Sequence, residues 1–136
     1  MRVMAEMTPP RPQPKVYSLV VGMRILLVDD EEDSSSILAR MLRRDGYAVD
    51  GCASAELALG RLATTSYDVL MTDQSMPGMK GTDLVVAARL LQGGLRCIIA
   101  TGYNAPEESL RGEATWITKP LDVAALVTLL GPARAG

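Results

Sequence analysis

Between residues 24 and 130 the chain repeats one pattern five times: a short apolar run, then a segment suited to a helix. The runs are Arg24–Val28, Tyr47–Cys52, Val69–Thr72, Arg96–Ala100 and Thr115–Thr118. Runs of this length, apolar almost throughout, are strands buried on both faces. Strands that alternate with helices need right-handed crossovers, which give a parallel sheet covered on both sides. Five such units in about 110 residues suit an open doubly wound α/β sheet, not a closed barrel. Asp50 interrupts the second run and marks it as an edge strand.

The helical segments carry their own punctuation. The first is expected to start near Asp33, with Ser34 to Ser36 as caps and Ile37, Leu38, Met41 and Leu42 as its apolar stripe. Asp45-Gly46 ends it. Ser54 caps a second helix with Leu57, Ala58 and Leu62. A loop marked by Pro77, Gly78 and Gly81 leads to a third, with Leu84, Val85, Ala88 and Leu91, which Gly93-Gly94 stops. Pro106 to Gly112 leaves room only for a short fourth helix. Asp122 opens the last, whose Val123, Leu126, Val127 and Leu130 form one stripe before Gly131-Pro132.

With 136 residues the chain suits one domain. Pro9, Pro10, Pro12 and Pro14 make residues 1–22 a flexible Pro-rich tail; the domain spans 23–131, and 132–136 form a C-terminal tail. A net charge of −2 leaves no basic footprint for nucleic acid or an anionic membrane surface. No apolar run is long enough to span a bilayer and no secretory signal opens the chain, so a cytoplasmic protein is expected. The chain has no histidine, which excludes Ser-His and Cys-His nucleophile pairs and His-ligated zinc. Cys52 and Cys97 lie in strands and read as buried thiols.

In open α/β sheets the ligand sits outside the carboxyl ends of the strands. Asp29 and Asp30 end the first run here, Asp73 the third, Thr101 the fourth and Lys119 the fifth. Three carboxylates brought together repel one another, so positive charge must offset them. Lys119 supplies one such charge, and a divalent cation would supply two more. Oxygen-only ligands select Mg²⁺, Mn²⁺ or Ca²⁺, and Mg²⁺ that keeps several waters is typical where a phosphoryl group is handled. A carboxylate such as Asp73 can be the nucleophile that takes phosphorus, with Thr101 donating to a phosphoryl oxygen and Lys119 neutralising charge. Asp33 reads as a helix cap, and Glu31 and Glu32 as solvated loop charges, either of which could sit near the site.

These residues stand in ILLVDDEEDSS, VLMTDQSMPGMKG, IIATG and WITKP, in that order. The combination resembles the response-regulator receiver domain of two-component phosphorelays, over about residues 23–130. The resemblance implies a flavodoxin-like sheet of order 2-1-3-4-5. It makes Asp73 the phosphoacceptor and gives Asp29, Asp30, Asp73 and the Ser75 carbonyl to Mg²⁺. Thr101 is then the hydroxyl that turns toward the phosphoryl group, and Lys119 the lysine that pairs with it. Lys119-Pro120 becomes a candidate cis peptide. The phosphoryl donor would be a phosphohistidine on a sensor histidine kinase or histidine phosphotransfer protein, and the output a downstream protein target. Such a chain is a signalling switch with self-catalysed phosphotransfer and dephosphorylation, not a turnover enzyme. No output domain is read after the last helix, so a stand-alone receiver is expected.

Three features depart from the family pattern. Only 18 positions separate Thr101 from Lys119, which shortens the fourth helix. Trp116 stands where a smaller aromatic is common; it either loses the swing of a smaller ring or simply packs as a strand residue. Gly102-Tyr103 follows Thr101, as in receivers of hybrid kinases; the glycine leaves the pocket open and the tyrosine covers its mouth. Three other readings compete. An aspartate-nucleophile phosphatase would want a second Asp where Ser75 stands. A pseudo-receiver acting only as an interaction module is opposed by the complete acidic set. A dinucleotide site would need glycines where DDEEDSSS follows the first strand.

Overall fold

The computed structural model describes residues 23–102 and 114–132. The expected tail at 1–22, the short helix at 106–112 and Tyr103 lie outside the described residues.

Five strands form one sheet: β1 (Arg24–Val28), β2 (Ala48–Cys52), β3 (Val69–Asp73), β4 (Arg96–Thr101) and β5 (Thr115–Thr118). All described pairings are parallel and the order is β2-β1-β3-β4-β5. The described helices are α1 (Glu32–Arg44), α2 (Ala55–Leu62), α3 (Gly81–Leu91) and α4 (Val123–Leu130). Alternate residues of each strand feed opposite faces. Leu26, Val28, Leu70, Cys97 and Ile99 pack with α2 and α3, whereas Ile25, Leu27, Val69, Met71 and Ile98 pack with α1 and α4. The doubly wound sheet is therefore as the sequence implies, and β3 at its centre is buried along its whole length. Both cysteines are buried and free.

The helix details differ in part. α1 begins one residue before Asp33, and its N-cap Glu31 makes no side-chain cap bond. Its buried residues are Ala39 and Leu42, while Ile37 is 56% exposed and Met41 39% exposed. The stripe is narrower than the sequence suggests because small Ala39 takes the inward position. Likewise α2 turns Ala55, Ala58 and Leu62 inward and leaves Leu57 exposed, and Leu91 at the end of α3 is exposed. The caps at Ser54 and Asp122 form as expected, accepting from Leu57 N and from Ala124 N and Ala125 N. Trp116 is partly buried against the α2–α3 side, as a packed strand residue would be. Its Nε1 is buried without a hydrogen-bond partner among the described residues.

The edge strand β2 is tied down by charge. Asp50 accepts from the Tyr67 hydroxyl at 2.6 Å and lies 3.6 Å from both Arg24 and Arg61. Burial, then the Asp50 carboxylate, pushes the Tyr67 phenol up to about 12. On the same edge Arg43 donates through Nε and Nη2 to the Val49 carbonyl. A bound guanidinium at this carbonyl discourages pairing with another strand.

Gln92, just past α3, joins three segments. Its Nε2 donates to Leu62 O at 2.8 Å and Thr65 O at 2.6 Å, and its Oε1 accepts from Tyr67 N at 3.1 Å. Truncation leaves partly buried backbone groups without partners, so Gln92→Ala is expected to lower stability by about 2–3 kcal/mol. Urea unfolding measures this; a loss under about 0.5 kcal/mol, the level of an ordinary surface change, would show the amide to be dispensable.

Candidate functional site

Main-chain hydrogen bonds run one step past the strand ends and fix the residues that follow. Asp29 N donates to Cys52 O, Gln74 N to Ala100 O and Lys119 N to Thr101 O, at 3.0, 2.9 and 2.8 Å. Val28 pairs with Thr72, Asp73 with Ala100 and Thr101 with Thr118. This register brings Asp29, Asp73, Thr101 and Lys119 to one edge of the sheet. The expectation that strand ends converge is met by backbone geometry before any side chain is considered.

The side chains meet there. One carboxylate oxygen from each of Asp29, Asp30 and Asp73 lies within 4.8 Å of the others. Lys119 Nζ is 2.7 Å from Asp73 Oδ1. Asp73 is 8% exposed and Thr101 6%, so the floor is buried, while Asp30 at the rim is exposed. The Lys119-Pro120 peptide is cis, as the resemblance implies. Ser75 stands exposed in the loop after β3. Among the described residues nothing lies within 4 Å of the position a Gly102 Cβ would take.

Charge is unbalanced in this cup. Two carboxylates under 4.8 Å apart, like Asp29 and Asp73, repel by at least about 3 kcal/mol at an effective dielectric near 20. Burial, with further contributions from Asp73 and Asp30, raises the Asp29 carboxyl above 3.8; the Glu31 N–H at 2.9 Å and Lys119 pull the other way. For Lys119 burial favours the neutral amine, but the hydrogen bond and charge of Asp73, with Asp29 and Glu31, outweigh it and raise the ammonium above 10.5. Three carboxylates and one ammonium leave two negative charges, the charge of one divalent cation. All three donors are hard oxygens, so the residues fit Mg²⁺ and not a soft metal.

The unbalanced charge carries a stability consequence. The folded chain holds the Asp29 proton more tightly than the unfolded chain. Stability from this group is thus greatest below 3.8 and falls as pH rises through the raised value. At neutral pH without metal, Asp29→Asn is expected to stabilise by about 0.5–2 kcal/mol. With Mg²⁺ at a hundred times its dissociation constant the wild type is expected to gain about 2.7 kcal/mol, and a variant that no longer binds the ion then falls below it. Urea unfolding in chelator and in Mg²⁺ tests both halves; a variant less stable than wild type in chelator contradicts the repulsion.

Comparison with known proteins decides the family. The profile of the response regulator receiver domain matches residues 25–130. The chain belongs to the response regulator receiver family. The receiver is 31% identical over 119 residues to the sensory/regulatory protein RpfC of Xanthomonas campestris; the match covers 82% of this chain but 16% of that protein. Among solved structures it is similar to the receiver domain of the hybrid histidine kinase CckA, with 33% identity, a TM-score of 0.69, and 79% of this chain and 94% of that one covered. It is also similar to the response regulator TrrA of Thermotoga maritima, solved in complex with Mg(2+)-BeF, with 27% identity, a TM-score of 0.73, and 79% and 96% coverage. The family and its fold are thus those implied by the four motifs. Among the described residues no helix is long and apolar enough to cross a membrane.

Two contributors to this site carry no sequence signal of their own. Glu31 acts through its main-chain N–H, which any residue but proline offers. Gln74 sits beside Asp73 and bonds across a loop to the start of α3, a closure visible only once the chain is folded.

Proposed function

We propose that this receiver accepts a phosphoryl group on Asp73 from a phosphohistidine of a sensor histidine kinase or histidine phosphotransfer protein. Asp29, Asp30, Asp73 and the Ser75 main-chain carbonyl would hold Mg²⁺. The observation that carries this reading is the 2.7 Å contact of Lys119 Nζ with a buried Asp73, inside a cup of two further carboxylates. The similar TrrA takes Mg(2+)-BeF, which supports the same cation here.

The chemistry follows from the residues. An Asp73 carboxylate oxygen attacks phosphorus while the P–N bond to the donor imidazole breaks, its electron pair going to the nitrogen. Mg²⁺ held by Asp29, Asp30, Asp73 and the Ser75 carbonyl would supply positive charge against the phosphoryl oxygens. Lys119 moves its charge from the Asp73 carboxylate to the arriving group. The Thr101 hydroxyl donates to a phosphoryl oxygen from the end of β4. Water later attacks phosphorus and returns the Asp73 carboxylate and phosphate, so the label is temporary. Ser75 offers no carboxylate two residues past Asp73, so that position supplies no general acid for a leaving alcohol. The product is a switch read by a protein target, acting in the cytoplasm where soluble phosphodonors reside.

Incubation with Mg²⁺ and acetyl phosphate is expected to add one phosphoryl group per chain. Borohydride reduction of the acyl phosphate, followed by peptide mapping, should then place the modification at residue 73. Labelling elsewhere, or full labelling in excess chelator, would sink the reading.

A further inference from the structure

The loop between β3 and α3 is closed by one residue. Gln74 uses every polar group it has: its N–H donates to Ala100 O, and its C=O accepts from Gly81 N at 3.0 Å. Its side-chain Oε1 accepts from Thr82 N at 2.9 Å, and its Nε2 lies 3.4 Å from Thr82 Oγ1. A helix leaves its first N–H groups without partners unless a cap residue supplies an acceptor. The N-cap of α3 is Lys80, whose side chain has no acceptor and makes no cap bond. Gln74, eight positions upstream of Thr82, takes over that duty. On the other side of the loop Met76 is buried in the α2–α3 core, close to the Thr72 hydroxyl.

We infer that Gln74 is a positioning residue for the cation: its clamp on α3 fixes the 74–80 loop and with it the Ser75 carbonyl. This rests on the Mg²⁺ site proposed above. Ser75 follows Gln74 directly, so whatever holds Gln74 limits how far the next carbonyl strays. Mg²⁺ demands near-octahedral oxygens at about 2.0–2.1 Å, which makes its affinity sensitive to small displacements of a ligand. Groups that orient a metal's ligands without touching the metal commonly contribute one to two powers of ten in affinity.

The test is Gln74→Met, equal in length but without donor or acceptor. Calorimetry on the unphosphorylated chain is expected to show Mg²⁺ binding about tenfold weaker than wild type. In acetyl phosphate labelling the half-saturating Mg²⁺ concentration should rise by the same factor, while the rate at saturating Mg²⁺ stays within about threefold of wild type, as lost ground-state binding requires. Amide exchange at Thr82 should quicken. Gln92→Ala serves as the structural comparison: it lowers stability and leaves the Mg²⁺ constant unchanged. If Gln74→Met does not fold, Gln74→Asn, one methylene short of Thr82, replaces it with the same expected weakening. A folded Gln74 variant that binds Mg²⁺ within twofold of wild type, while wild type labels on Asp73, overturns the inference alone. A wild type that neither binds Mg²⁺ nor labels overturns the proposed function, and this inference with it.

Discussion

Asp73→Asn is expected to take up no phosphoryl label, whereas Lys119→Met still labels, about two to three powers of ten more slowly. The two side chains touch at 2.7 Å, yet they act differently. Asparagine matches aspartate in shape but has no anionic oxygen to bond phosphorus, so its loss is absolute. Lys119 forms no bond; it lowers the barrier by placing positive charge where negative charge builds, in a site where burial strengthens each interaction. Removing one preorganised donor of this kind costs about 2.7–4 kcal/mol of barrier, which gives the factor above. Its ammonium is held above 10.5, so the charge is present throughout the neutral range, and its contribution to folding is lost only as pH rises through that raised value. Lys119→Met also leaves Asp73 without its salt-bridge partner, so stability in chelator should fall and Mg²⁺ should restore more of it than in wild type. Rates come from acetyl phosphate labelling at saturating Mg²⁺. A label that survives Asp73→Asn removes Asp73 as acceptor. A Lys119→Met rate equal to wild type removes the lysine from the chemistry and leaves it a structural ion pair.

The sequence made the strand ends legible because a charged residue directly after an apolar run is costly in any other place. Asp29, Asp73 and Lys119 announce themselves this way, and a parallel sheet then has to bring them to one edge. Helix stops were equally plain: Gly46 and Gly131 adopt positive φ, 102° and 86°, where a side chain is disfavoured. Helix faces were less so. In α1 the larger Ile37 and Met41 look like core, but Ala39 and Leu42 are the residues turned inward. Its start was misplaced because three serines and Asp33 advertise caps, while the chain enters the helix at Glu31 without one. Gln74 was invisible for another reason: glutamine is not a residue expected at a cap, and its bond to Thr82 spans a loop that pattern reading treats as punctuation. The expected short helix at 106–112 stands outside the described residues.

Gly81 shows how far a loop signal can understate a residue. By helix propensity alone, Gly81→Ala at the first turn of α3 should stabilise the chain by up to about 1 kcal/mol. The surroundings reverse that sign. An added Cβ would stand 2.6 Å from the Asp73 carbonyl oxygen and 3.0 Å from Gln74 Cα. Both atoms are backbone, so no rotamer change relieves the contact, and the start of α3 must move off the acceptor strand. Overpacking of this kind costs about 1–3 kcal/mol, more than the propensity gain. We therefore expect Gly81→Ala to destabilise, and to slow labelling as well, because the displaced atoms belong to Asp73 and to the residue that clamps the loop. Gly60, on the exposed side of α2, supplies the contrast: an added Cβ there meets nothing within 4 Å among the described residues. Gly60→Ala should raise stability by about 0.5–1 kcal/mol and leave labelling untouched. Urea unfolding in chelator compares the two substitutions directly. If both stabilise, the close approach of α3 to the Asp73 carbonyl is not real, and the account of how this loop is held fails with it.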